Sequence, residues 1–359
     1  MDNGRTVTVT PTDPTLLRGR FDAALAAFLR RQRPGRSGHG AGAVYDVLHR
    51  FVLAGGKRVR PLFCYWGWRG FGGPDGAPIV AAAAALELFH AFALIHDDIL
   101  DHSDRRRGQP AMHRIFADLH ARSGWRGDPQ TYGRDAALLC GDLCAAWSGQ
   151  MFHECGLEPA QVRRGLAVFS RMRAEVIAGE YLDVLSAAVD GSVASALAVV
   201  RMKTARYTVT RPVQIGAALA GADPDAVAAL ADFGDPIGDA FQLRDDLLGV
   251  FGDPRVTGKS NLDDLREGKP TVLMALARQA AGPAGRARLG ALVGQPDLDH
   301  GGAAEVRRII EAVGARTSVE QMIRVRADAA LAALDRLPLA EPARAALADL
   351  GARAADRNA

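Results

Sequence analysis

Aromatic residues are scarce in this 359-residue chain, at 6% of the total. Half-buried strands draw on aromatic and β-branched residues in alternation, and no stretch shows that pattern. Long Ala-, Leu- and Arg-rich segments point to helices instead. An excess of one charge is missing too: 44 basic residues face 41 acidic ones, for a formal net charge of +3. Neither a nucleic-acid surface nor a polybasic membrane face is expected from that balance. The four cysteines (Cys64, Cys140, Cys144, Cys155) lie in apolar segments and form no CxxC pair. They read as small buried core residues, and a reduced, cytoplasmic compartment fits them. Residues 1–14 are polar and threonine-rich and lack the apolar run of a signal peptide, so a flexible N-terminus is expected there. Ala77–Ile95 nearly reaches the length of a membrane span. It holds Glu87 and His90 and ends on two aspartates, which argues for a buried helix. With no internal repeat and no domain-splitting linker, residues 15–359 are expected to form one all-α domain, a single large helical bundle.

The most informative stretch is His96-Asp97-Asp98-Ile99-Leu100-Asp101. On a helix Asp97 and Asp101 share one face, about 40° apart. Two carboxylates so placed repel each other unless a cation sits between them. A second acidic pair, Asp245-Asp246, follows the apolar run of a downstream helix, Ala226–Val250. Two such sites facing one cavity would suit hard cations such as Mg²⁺, shared with a phosphate-bearing substrate.

Other segments supply cations. In Gly55-Gly56-Lys57-Arg58-Val59-Arg60-Pro61 the glycines let the backbone approach a ligand, and Lys57 and Arg60 stand one helical turn apart. A solvated basic turn explains that stretch equally well. His90 lies on the face of Asp97; a satisfied core histidine and a ligand-binding one are both open. Arg106-Arg107 precede Gly108 and Pro110, hence a loop, and their forked guanidiniums suit diphosphate oxygens. Ser123–Arg134 reads as a polar loop and Asp135–Cys155 as a helix with Trp147 in the core. Val162–Leu185 reads as a helix ending near Glu180 and Asp183. Val199–Ala222 carries Lys203-Thr204 and Tyr207, and Pro212 should kink it or mark a bulge. Gly252–Pro270, with Lys259 and Lys269 flanking Asp263-Asp264, reads as a mobile lid. Gly282–Gly302 reads as a connector.

As an ordered set, these markers resemble the trans-type isoprenyl diphosphate synthases of the polyprenyl synthetase family. They are Gly55–Pro61, Asp97-Asp98-Ile99-Leu100-Asp101, Arg106–Pro110, Lys203-Thr204, Gln242 with Asp245-Asp246, and Gly268-Lys269. The resemblance implies an isoprenoid synthase bundle around a deep apolar central cavity. It implies a prenyltransferase joining isopentenyl diphosphate to dimethylallyl, geranyl or farnesyl diphosphate, with about three Mg²⁺ ions assisting ionisation. Lys57, Arg60, His90 and Arg107 would hold isopentenyl diphosphate. Asp97, Asp101 and Asp245 would bind Mg²⁺, with Asp98 in support. Arg106, Lys203, Thr204, Gln242, Lys259 and Lys269 would grip the allylic diphosphate. Asp97, Asp98, Asp101, Arg106, Lys203 and Asp245 make up the implied catalytic group. A cytoplasmic homodimer without a membrane span is also implied.

Two departures stand out from that pattern. Gly249 occupies the place where many members have a third aspartate, and a Gly249→Asp change is expected to matter little. Glu180 replaces a common glutamine, three residues before Asp183. For chain length, Ala93 leaves room beside the acids, while Phe92 and Phe89 would close the pocket one to two turns away. An aromatic five residues before an uninterrupted first motif resembles the class forming (all-E)-geranylgeranyl diphosphate, with farnesyl or longer products as the alternative. A class I terpene cyclase and a non-catalytic regulatory subunit are the competing classes.

Overall fold

The computed structural model describes residues 13–33, 42–188, 192–257 and 260–356. The first helix, α1 (Pro14–Gln32), starts where Asp13-Pro14 predicts. The Asp13 carboxylate accepts from the Thr15 amide, and proline stands at the first helical position. Helices α2 (Gly42–Leu53) and α3 (Val59–Gly70) follow. The next, α4 (Ala77–Leu100), is the helix expected from the alanine-rich run. By length and composition it could cross a membrane, yet 67% of its apolar window is buried inside the protein.

Helix α4 packs chiefly on α6 (Pro129–His153), with α5 (Met112–Ser123) alongside. Then come α7 (Pro159–Ala188) and α8 (Val193–Val199), which runs directly into an 11-residue π-helix, Val200–Thr210. Helix α9 (Arg211–Ala220) resumes the ordinary period with Pro212 in its first turn. Proline cannot donate to the Thr208 carbonyl, so the ladder loosens just upstream of it. The bulge expected at Pro212 is therefore a long π segment carrying Lys203, Thr204 and Tyr207. Gly179 and Gly238 let it lie close: a Cβ on either would come within 2.5 Å of its backbone.

The rest comprises α10 (Pro224–Ala229), α11 (Ala231–Phe251), α12 (Pro254–Thr257), α13 (Asp263–Glu267), α14 (Val272–Ala280), α15 (Pro283–Leu292), α16 (His300–Ala312), α17 (Ala315–Arg336) and α18 (Ala343–Ala355). Helix α11 joins two apolar cores. Phe233 and Ile237 pack with residues of α1, α3, α4 and α9, whereas Leu243, Leu247 and Val250 pack with α14 to α17. Among the described residues the sheet content is one two-stranded ribbon, β1 (Arg105–Arg106) and β2 (Gln109–Pro110). Its two-residue turn, Arg107-Gly108, has φ of +52° and +74°, the conformation a tight hairpin needs.

Three expectations are corrected. The loop before α6 ends at Asp128, which caps the helix through Thr131, so Pro129–Arg134 is helical. Gly252–Pro270 contains α12 and α13, and Gly282–Gly302 contains α15, begun by Pro283. All four cysteines are buried thiols, as expected.

Candidate active site

The carboxylates at the end of α4 are held by cations from three directions. Arg106, on the ribbon, donates to Asp97 Oδ2 at 3.0 Å and from Nε to Asp98 Oδ1 at 2.8 Å. Lys203 Nζ, on the π-helix, lies 2.9 Å from Asp97 Oδ1, 3.0 Å from Glu180 and 2.6 Å from Asp183. Lys269 Nζ lies 3.0 Å from Asp101 Oδ2, 3.2 Å from Glu267 and 3.7 Å from Asp264. Burial would raise Asp97, but Lys203, Arg106 and Lys269 overcome it and hold the carboxyl at about 2. Asp97 is therefore an anion at any physiological pH. Asp98 is fully buried, which lifts it to about 6 against the pull of Arg106. It lies behind the wall and anchors Arg106.

The second acidic pair lies on α11. Asp246 accepts from Gln242 at 2.7 Å. Burial raises it to about 8, only partly opposed by that bond and reinforced by Asp245 and Asp264. Lys269 lowers Asp246 and pairs with Asp101, so both acidic motifs answer to the same ammonium. Asp245 is half-buried beside them. Gly249, one turn further on, has its side-chain space filled: a Cβ there would lie 1.8 Å from Asp264 Oδ2. An aspartate at 249 would therefore require the Asp264 carboxylate to move aside.

One turn further along the π-helix is a basic patch. The Arg60 guanidinium sits 4.0 Å over the Tyr207 ring and donates to Thr208 at 2.9 Å. His90 Nδ1 and the Tyr207 hydroxyl are 2.5 Å apart. Burial and then Arg60, Arg107 and Arg106 push the imidazole well below its ordinary value, so it is neutral in this state. Arg58 holds the preceding turn in place. Its φ of +50° is maintained by bonds to Asp22, Glu87 and the Val52 carbonyl. Arg107 Nη1 donates to the Gly55 carbonyl at 2.7 Å. The expected helical spacing of Lys57 and Arg60 is corrected: α3 begins at Val59, leaving Lys57 exposed in the turn while Arg60 is buried.

Thr204 is half-buried next to Lys203, and Lys259 lies outside the described residues. Phe89 is 1% exposed and packs on Phe92, Phe169 and Tyr207. Phe92 is half-buried against His96, and Ala93 is half-buried beside it. Sequence reasoning left Asp183, Glu180, Asp264, Glu267 and Tyr207 out of the site. The helical spacing of Glu180 and Asp183 was a usable signal, as was the closeness of Asp264 and Glu267 to Lys269; the contact of Asp264 with Gly249 had none.

The donor set fits a hard divalent cation. It is all carboxylate oxygen; Asp98 keeps a buried oxygen without a hydrogen bond, and Asp101 Oδ2 is met by the Lys269 ammonium. Among the described residues no three acidic, imidazole or thiol groups converge as a preformed cage. Mg²⁺ is commonly held by one or two carboxylates plus substrate phosphates, which asks for no such cage.

An α-helical bundle with two acidic walls sharing a lysine, and a basic patch behind them, defines a class of diphosphate-handling proteins. The family profile described as Polyprenyl synthetase matches residues 42–313. A geranylfarnesyl diphosphate synthase of Aeropyrum pernix is 38% identical over 236 residues, covering 64% of this chain and 69% of the relative. A geranylgeranyl diphosphate synthase of Sulfolobus acidocaldarius is 32% identical over 64% of this chain and 66% of its own. The crystal structure of a Corynebacterium glutamicum geranylgeranyl pyrophosphate synthase, complexed with isoprenyl diphosphate and magnesium, superposes with a TM-score of 0.90. It is 39% identical, covering 96% of this chain and 98% of that one. The chain belongs to the polyprenyl synthetase family and is a prenyltransferase.

Proposed function

We infer that this prenyltransferase condenses isopentenyl diphosphate with an allylic diphosphate and releases (all-E)-geranylgeranyl diphosphate as its main product. The observation that carries the reading is on the π-helix. Lys203, which meets the acidic wall, and Tyr207, which meets Arg60 and His90, lie about one turn apart. Two anion sites thus adjoin along one helix, as a two-diphosphate reaction requires and a one-substrate cyclase does not.

Asp97, Asp101 and Asp245 would hold Mg²⁺, and Asp183 shares the Lys203 ammonium with Asp97. Bound Mg²⁺ supplies positive charge to the departing diphosphate. Lys203, Lys269 and Arg106 are the protein's own share of that charge. Paired now with aspartates, they turn to phosphate oxygens when the substrate arrives. Positive charge aimed at the leaving group lets the allylic C–O bond break with its electron pair on the diphosphate. Arg60, Arg107, Lys57 and His90 orient isopentenyl diphosphate so that its double bond forms the new C–C bond. A proton then leaves to the released diphosphate. Apolar α4 residues keep water from the cation. Phe92, half-buried, sets the pocket floor, and Phe89 braces it from the core. The enzyme works in the cytoplasm as a homodimer in this reading.

The test is chromatography of products formed from isopentenyl diphosphate with dimethylallyl, geranyl and farnesyl starters. A C20 diphosphate from all three is expected. A hydrocarbon or alcohol formed without consumption of isopentenyl diphosphate would point to a cyclase and overturn the reading.

A further inference from the structure

Gly249 lies inside α11, in ordinary helical conformation, where glycine is a poor choice on propensity alone. What calls for glycine is space. A Cβ would come 1.8 Å from Asp264 Oδ2 and 2.9 Å from its Cγ, so the Asp264 carboxylate lies against the helix backbone. That carboxylate belongs to α13, on the segment expected as a lid. The same segment carries Glu267 and Lys269, and Lys269 reaches across to Asp101.

We propose that Gly249 is a seat for Asp264: the missing side chain on α11 admits a carboxylate from α13, which completes the second acidic wall. Seating also sets Lys269 between Asp264 and Asp101, so one segment brings both an acid and a cation to the site. Gly249 is then a positioning residue, touching no substrate itself. The absent third aspartate is replaced by one delivered from another part of the chain. The inference rests on the diphosphate reading above for the site's role, but the seating itself is geometric.

The experiment is a calorimetric titration of the full chain with inorganic pyrophosphate in excess MgCl₂. It compares wild type, Gly249→Ala, Asp264→Ala and the double variant, with thermal unfolding and steady-state kinetics run in parallel. Gly249→Ala should weaken binding about tenfold, the scale of one displaced charged contact. The double variant should bind no worse than Asp264→Ala alone, because the alanine has nothing left to unseat. The swap Gly249→Asp with Asp264→Gly should recover part of the loss that Gly249→Asp alone causes. A merely structural glycine predicts the reverse: alanine in a helix interior raises the melting temperature and leaves binding unchanged. That result, or additive losses in the double variant, overturns the proposal. If wild type fails to consume isopentenyl diphosphate while the non-additive binding loss persists, the seating stands and the functional reading falls. Absence of pyrophosphate binding by wild type overturns both.

Discussion

The two acidic walls differ in how they are assembled. The first is built on one continuous helix: Asp97 and Asp101 share a face of α4, and Asp97 is ionised by neighbouring cations before any ligand arrives. The second draws on two segments, with Asp245 and Asp246 on α11 and Asp264 on α13. Burial raises the Asp246 carboxyl to about 8, so this wall carries less negative charge than the first. One wall is local to a single helix, and the other is a joint between two segments.

The largest effects should come from the walls themselves. Asp97→Ala should lower turnover by about 10²–10³, the scale of losing one preorganised group at developing charge. Asp245→Ala should also lose most activity, but raising the Mg²⁺ concentration should restore part of it, because Asp264 remains. Steady-state rates across a MgCl₂ series measure the contrast, and identical, unrescued losses would erase the distinction between the walls.

A second contrast lies along α4. Phe89→Ala removes a fully buried ring and should cost about 3–5 kcal/mol of stability, read from denaturant unfolding. Phe92→Ala should cost less and lengthen the products, read by chromatography. Equal destabilisation with an unchanged product spectrum would remove Phe92 from the pocket floor.

The smallest effect is at Glu180. Burial raises its carboxyl to about 7 against the pull of Lys203, from an ordinary 4.5. The folded state thus binds that proton more tightly than the unfolded one. Stability from this group is highest below pH 4.5, declines as pH rises, and bears its full cost above pH 7. Glu180→Gln should melt about 1–3 °C above wild type at pH 8 and match it near pH 4.5 without Mg²⁺. The same gap at both pH values would show that its charge is not what matters.

Much of the fold was readable because its signals are local. The apolar run of α4, the Asp13-Pro14 start of α1 and the acid spacing at 97 and 101 each depend on neighbours in sequence. The start of α6 carries the same Asp-Pro signal at Asp128-Pro129, masked by the polar residues around it. The turn at Lys57 misled because Arg58 adopts a left-handed conformation held by buried ion pairs, and periodicity does not report that. Lys203 and Lys269 were legible by resemblance, but their choice of partners was not. Asp183 reaches Lys203, and Asp101 reaches Lys269, only through packing. Gly249 is legible in the sequence as a glycine inside a helix, but its contact with Asp264, 15 residues downstream, is not.

The most direct test asks whether the walls act on one diphosphate. Binding of Mg²⁺ and inorganic pyrophosphate would be measured by calorimetry for wild type, Asp97→Ala, Asp245→Ala and the double variant. Shared occupancy predicts strong coupling, with the second substitution costing far less once the first is present. Additive losses, or two independent binding events each abolished by one substitution, would contradict it.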